Sequence, residues 1–267
     1  MPPVPFLNLV TIGIVLLISA IMMVRRPRDR KMQGLFLSAL FLMLVLFVDD
    51  VALTIATHAT SIRYDEYVFC FDRVFGSPAF AMGRLFRRYA WFHDLSYVAY
   101  VLAPSACLIV GAVNFFLLKF EDGVRCVRTV FLACLLAYPL FVVFPVAGPQ
   151  YAFRTFPESI PANFVPHVVH LQSIPNGVPS VHMTLAILVL VFSKRWQLGR
   201  VLGSIFVLLT ISSTMGLGEH YLFDLIVAVP YSRLVIYLGG YTLTSEHEHA
   251  EEQGKGILAG SGAAPQG

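Results

Sequence analysis

A chain of 267 residues that is 57% hydrophobic and 13% charged carries about half the charge of a soluble domain of its size. Its net charge is only +3, and apolar runs of roughly 20 residues, long enough to cross a bilayer, recur along its whole length. The composition excludes a soluble globular core and gives an all-α polytopic transmembrane bundle of about seven spans, with no nucleic-acid partner expected.

The first run, Pro5 to Val24, lacks a basic n-region, is long for a signal-peptide h-region and is followed by "RRPRDRK". It reads as a retained helix whose C-terminal end is cytoplasmic. Further spans are expected at 34–57, 94–118, 128–147, 180–197, 200–218 and 221–241. This layout puts the N-terminus outside and the C-terminus inside. Its cytoplasmic loops then hold Arg25, Arg26, Arg28, Arg30 and Lys31, then Lys119, Arg125 and Arg128, then Lys194, Arg195 and Arg200. Its outer loops hold Arg63, Arg73, Arg84, Arg87, Arg88 and Arg154. The bias follows the positive-inside rule, most strongly at 25–31, although the outer loop 58–92 is unusually basic.

Within that loop, "SPAFAMGRLFRRYAWFHDLS" reads as an amphipathic helix on the outer leaflet, with Arg84, Arg87 and Arg88 towards headgroups. It serves either as an anchor or as a lid. Cys70, Cys107, Cys126 and Cys134 show no metal spacing, and no two fall clearly in one outer loop, so neither a structural disulfide nor a zinc site is expected. His167 and His170 in "VPHVVHLQ" have a spacing that shares a metal on a helical turn. Their Pro-rich flanks argue against such a helix, and they read as loop histidines near the pocket. The tail "TSEHEHAEEQGKGILAGSGAAPQG" is polar and Gly-rich, expected to be disordered with His247 and His249 solvated.

Ionisable side chains inside spans are costly and point to function. They occur at Asp49 and Asp50, at His182, at His220 and Asp224, and at Arg233, which reads as snorkelling inward. In "STMGLGEHYLFDLIVAV", Gly216 and Gly218 break the sixth span, and His220 and Asp224 open the seventh on one helix face. The carboxylate of Asp224 needs a partner, and the imidazole one turn away supplies it. That contact fixes the tautomer of His220 and frees its other nitrogen to attack. In "NGVPSVHMTL", His182 lies in the first turn of the fifth span, at the same level. Two histidines, one backed by a carboxylate, suit phosphoester cleavage. One attacks phosphorus to give a phosphohistidine; the other protonates the leaving oxygen and then activates the acceptor. Asp50 lies about 24 Å along its helix from Gly34 and near the same level. One of Asp49 and Asp50 would accept hydrogen bonds from substrate hydroxyls, or both merely end a tilted helix early.

"VPSVH" at 178–182 resembles the PSxH element of the type 2 phosphatidic acid phosphatase superfamily, and "STMGLGEHYLFD" at 213–224 resembles its Ser-Arg-x5-His-x3-Asp element. "FPVAGPQY" at 144–151 falls where the first element belongs, so the resemblance covers about 130–241. Two departures stand out. The stretch 144–151 has neither the Lys nor the Arg of the usual first element, and Thr214 stands where the third has Arg. In this the chain looks more like the inositol phosphorylceramide synthase and sphingomyelin synthase branch, which moves a phospho-headgroup onto a lipid hydroxyl.

The resemblance implies His220 as nucleophile, Asp224 as its orienting group and His182 as acid/base, with no metal or other cofactor. The expected substrate-binding residues are Ser180, Gln150, Tyr151, Arg154, Thr214 and Asp50. The expected partners are a phospholipid donor and a lipid or small-alcohol acceptor. The chain then divides into N-terminal helices over 1–120, a phosphatase-like core over 121–243 and the tail 244–267, with the site at the outer face. Water as acceptor would make the protein a lipid phosphate phosphatase. A proton-coupled transporter is the reading from another class, but the polar groups gather at one membrane face and no paired broken helices imply repeats.

Overall fold

The computed structural model describes residues 4–26, 28–117, 120–160 and 165–240. The polar tail therefore lies outside the described residues, as does Lys119. The chain forms a helical bundle with one two-residue strand pair. In order the elements are α1 (Val4–Arg25), α2 (Arg30–Ala59), β1 (Ile62–Arg63), α3 (Asp65–Val74), α4 (Pro78–Arg88), α5 (Ala90–Val101) and α6 (Ala103–Leu117). Then come α7 (Phe120–Leu135), α8 (Ala137–Val143), α9 (Pro149–Ala152), β2 (Val169–His170), α10 (Val181–Ser193), α11 (Gln197–Gly216) and α12 (Leu222–Leu238).

Among the described residues, α1, α2, α11 and the joined α7–α8 are each long and apolar enough to cross a membrane, and α5–α6 adds a fifth span bent by 58°. The third span thus begins at Ala90, four residues before the sequence reading, and breaks at Leu102. The fourth begins at Phe120 rather than at 128. Its first turns hold Glu121 and Asp122, charges that a hydropathy reading excludes but that favour a helix N-terminus. Asp122 is buried and paired with Arg195 at 2.8 Å and Arg125 at 3.4 Å. On α2, the Asp29 side chain caps the helix start by accepting from Lys31 N and Met32 N.

Helix α10 is the axis of the bundle. Leu185, Leu188, Val189 and Phe192 pack with Phe141 of α8 and Tyr231 and Val235 of α12. Its 13 residues span about 20 Å, less than a hydrocarbon core of about 30 Å. His182 sits in the first turn of this short helix.

The segment 58–92 packs onto the protein through β1, α3 and α4. β1 pairs antiparallel with β2, matching Ile62 to His170 and Arg63 to Val169. The apolar face of α4 buries Ala79, Phe80, Gly83 and Phe86. Phe80 meets Phe69 of α3, Phe153 and Phe156 at centroid distances of 5.0–5.8 Å. The arginines of α4 serve this cap: Arg84 donates to Pro157 O, Arg87 pairs with Glu158, and Arg88 lies over the Tyr89 ring.

Candidate active site

The third motif is built by a helix break. Helix α11 stops at Gly216, and Gly218 has φ +76°, a left-handed turn that glycine adopts without a Cβ clash. The N–H groups of Glu219 and His220 both return to Thr214 O, at 3.1 and 3.0 Å. Tyr221 then caps α12, and the Asp224 carboxylate accepts Tyr221 N at 2.9 Å through Oδ2. This pins the Asp224 side chain before any imidazole is considered.

His220 Nδ1 lies 3.2 Å from that same Oδ2 and 3.1 Å from Gly177 O. Both neighbours only accept, so Nδ1 carries the proton and Nε2 keeps its lone pair. Sequence spacing anticipates the carboxylate but not the carbonyl. Gly177 N donates to Val146 O at 2.7 Å, and a Cβ on Gly177 would stand 2.7 Å from Val146 Cγ1. The segment 144–151, without a basic residue, thus places the carbonyl that orients His220.

His182 is the second residue of α10, behind the N-cap Ser180, whose Oγ accepts Met183 N at 3.3 Å. Its ring stacks on Tyr100 of α5 at 3.9 Å and 13° and lies 6.3 Å from the His220 ring, centroid to centroid. A nucleophile stands about 3–3.5 Å from the atom it attacks, and a general acid about 2.6–3.2 Å from the oxygen it protonates. The two rings are therefore neighbours across one small space.

Three acids absent from the sequence reading complete the surroundings. Asp65 and Asp72 lie two turns apart on one face of α3 and are 0% and 1% exposed. Asp65 accepts Ala147 N at 3.0 Å, Gly148 N at 2.7 Å and Tyr221 OH at 3.0 Å. Asp72 accepts Leu222 N at 2.9 Å and Phe223 N at 3.2 Å, covering the orphan N–H groups at the start of α12. Helix α3 thus clamps the 146–148 loop and the His220 turn together. Burial, only partly offset by these hydrogen bonds, pushes both carboxyls up to about 6. The third acid, Glu219, accepts from Gln150 Nε2 and from Tyr151 OH. The seven-residue spacing of Asp65 and Asp72 was a readable signal for a shared face; their partners, more than 80 residues away, were not.

The other expected substrate-binding residues are placed as follows. Gln150 and Tyr151 stand at the rim over Glu219, with Gln150 N bonded to Gly218 O at 3.0 Å. Ser180 is buried, its N–H 3.3 Å from Asp224 O. The Thr214 hydroxyl donates to Thr210 O at 2.8 Å within its own helix, so Thr214 contributes its carbonyl to the His220 turn. Arg154 is exposed just after α9. Asp50 is exposed on α2, and Asp49 beside it accepts from Tyr138 OH of α8. Neither is in a described contact with the two histidines. His167 pairs with Glu66 at 2.9 Å and His170 meets Ser61 at 3.0 Å, which uses them in the loop around β1.

A family model described as the PAP2 superfamily matches residues 67–238, more than half of the chain. The match takes in α3 to α6 almost completely, ahead of the stretch in which the sequence motifs are legible. No curated protein and no solved structure matches.

Proposed function

The chain belongs to the PAP2 superfamily, and on that premise we propose that it is an integral-membrane lipid phosphotransferase with its site at the outer face. It resembles the inositol phosphorylceramide synthase and sphingomyelin synthase branch. His220 Nε2 attacks phosphorus of a phosphodiester lipid, forming N–P as the P–O bond to the lipid alcohol breaks. His182 gives its proton to the departing oxygen. Asp224 and Gly177 O hold the Nδ1–H while the ring gains positive charge. In the second half the acceptor hydroxyl gives its proton to His182, O–P forms, and N–P breaks. Water as acceptor converts the same steps into a phosphatase.

Phosphoryl oxygens need donors. Ser180 N and Met183 N are engaged by Asp224 O and Ser180 Oγ. That leaves the N–H groups of Val181 and His182, which an α-helix cannot satisfy by itself, aimed where an anion is favoured. The observation that carries the reading is the two-acceptor grip on His220 Nδ1, with the His182 ring 6.3 Å away, centroid to centroid. The test is to incubate purified protein in detergent with a panel of phospholipids, with and without lipid alcohols. A new phospholipid supports the transferase, free phospho-alcohol or phosphate supports the hydrolase, and no turnover of any lipid rejects both.

A further inference from the structure

We propose that Glu219 is a specificity determinant of this site: its carboxylate turns away phosphate monoesters and accepts hydrogen-bond donors from the headgroup of a diester. The inference rests on the phosphotransfer reading above and names the charge class of its substrate. Glu219 directly precedes His220, and both N–H groups are tied to Thr214 O, so the carboxylate and the imidazole belong to one rigid turn. Its position is built from two directions. Gln150 N bonds Gly218 O, and a Cβ on Gly218 would stand 2.9 Å from Gln150 Cβ, so the 148–151 segment lies against the 218–220 turn. From there Gln150 Nε2 and Tyr151 OH both reach the Glu219 carboxylate.

The electrostatics of this corner are one-sided. Burial raises the Glu219 carboxyl, and His220 and the hydrogen bonds from Tyr151 and Gln150, both neutral donors, act against that rise. A phosphate monoester brings close to two negative charges at neutral pH, since its second ionisation lies near 6; a diester brings one. The extra charge meets an unneutralised carboxylate in a site where the first-element stretch 144–151 and position 214 supply no cation. At an effective dielectric constant of about 20, one extra negative charge bound within roughly 8–10 Å of the carboxylate would cost a monoester roughly 10- to 30-fold. The same carboxylate, with a neutral amide and a phenol beside it, accepts from hydroxyl or ammonium groups of a headgroup.

The experiment compares kcat/KM for phosphatidic acid with kcat/KM for phosphatidylglycerol and phosphatidylethanolamine at pH 8 in wild type, Glu219→Gln and Glu219→Asp. Wild type is expected to favour the diesters. Glu219→Gln should raise the monoester-to-diester ratio roughly tenfold, and Glu219→Asp, which keeps the charge, should stay near wild type. A ratio that Glu219→Gln leaves unchanged, with measurable turnover, overturns this inference and spares the phosphotransfer reading. Equal gains in Glu219→Gln and Glu219→Asp also overturn it, since charge would then not be the cause. A wild-type protein that turns over no lipid removes both.

Discussion

At the end of the bundle where α7 begins, the buried Asp122 is held by two cations, Arg195 at 2.8 Å and Arg125 at 3.4 Å. At the other end, Asp65, Asp72 and Asp224 accept from backbone N–H groups, a phenol and an imidazole. The first arrangement cancels charge and ties the start of α7 to the turn between α10 and α11. The second leaves the charge of the carboxylates largely uncancelled, in a buried setting where it acts on its neighbours. Burial without full compensation lifts Asp65 and Asp72 to about 6, and perturbed ionisable groups of this kind cluster at sites of chemistry. On the proposed reading, the same contents, buried acids at helix ends, serve structure at one end and reactivity at the other.

The comparison breaks first at His220. His220→Ala should lower turnover at least about 10³-fold, because no other group takes over as nucleophile; near-normal activity in the purified variant would end the assignment. His182→Ala should cost roughly 10²- to 10⁴-fold, and less for donors with good leaving groups, a difference read by assaying a nitrophenyl phosphodiester beside a natural lipid. Asp224→Asn should cost roughly 10²- to 10³-fold, less than a full loss of the orienting group, because Gly177 O still holds Nδ1–H.

Asp65 sharpens the comparison. An asparagine in its place offers one oxygen to the three donors now served by two, so Asp65→Asn should lower kcat roughly tenfold with little change in KM, about one net hydrogen bond of misplacement. The pH dependence has two opposite components. Folded Asp65 and Asp72 take up protons near 6, whereas unfolded carboxyls wait until about 3.9. Between those values the folded state binds more protons, so these groups contribute stability at low pH that is lost as pH rises through about 6. Activity runs the other way. Their partners all donate, and a protonated carboxyl introduces a competing donor. kcat should therefore fall as pH drops through about 6, and in Asp65→Asn that limb should flatten or move. A limb identical in both proteins would remove Asp65 from the account.

These differences also mark what the amino-acid order discloses. The apolar runs locate the helices because hydrocarbon thickness sets their length, and errors fall where charges enter a helix, as at Glu121 and Asp122. His182, His220 and Asp224 were legible because i, i+4 spacing and helix breaks are local. Gly177 reaches His220 from 43 positions away, Asp65 reaches the neighbouring Tyr221 from 156, and Tyr100 stacks on His182 from another helix. Only packing brings them there. Glu219 was local but silent, because a glutamate in a loop normally faces water. Thr214 shows the converse: it occupies a position at which the resemblance leads one to expect a phosphate contact, yet its hydroxyl serves its own helix.

At the opposite end, Arg195→Gln should lower the thermal midpoint in detergent while leaving kcat of the folded protein near wild type. Removing one partner leaves the buried Asp122 with Arg125 alone at 3.4 Å. Breaking a fully buried pair costs about 3–5 kcal/mol, and the partial exposure of Arg195 places the loss below that range. A fall in kcat matching that of Asp65→Asn would mean that the two ends are coupled and do not divide structure from chemistry.

Arg154 offers the smallest effect and the finest test of how charge is used at the rim. It follows α9 and is exposed, on the loop that carries Gln150 and Tyr151 to Glu219. On the proposed outer-face reading its guanidinium meets the headgroup layer rather than the reacting phosphorus. A basic residue near an anionic surface contributes about 1 kcal/mol, screened within a Debye length. Arg154→Gln should therefore raise KM for an anionic diester roughly fivefold at low ionic strength, with kcat unchanged, and the difference should shrink towards 0.5 M salt. A zwitterionic diester should show little change. A kcat effect that survives high salt would instead put Arg154 on the transferring phosphoryl group, in which case the neutral donors of α10 would not hold it alone. Unchanged kcat and KM would remove Arg154 from substrate binding altogether.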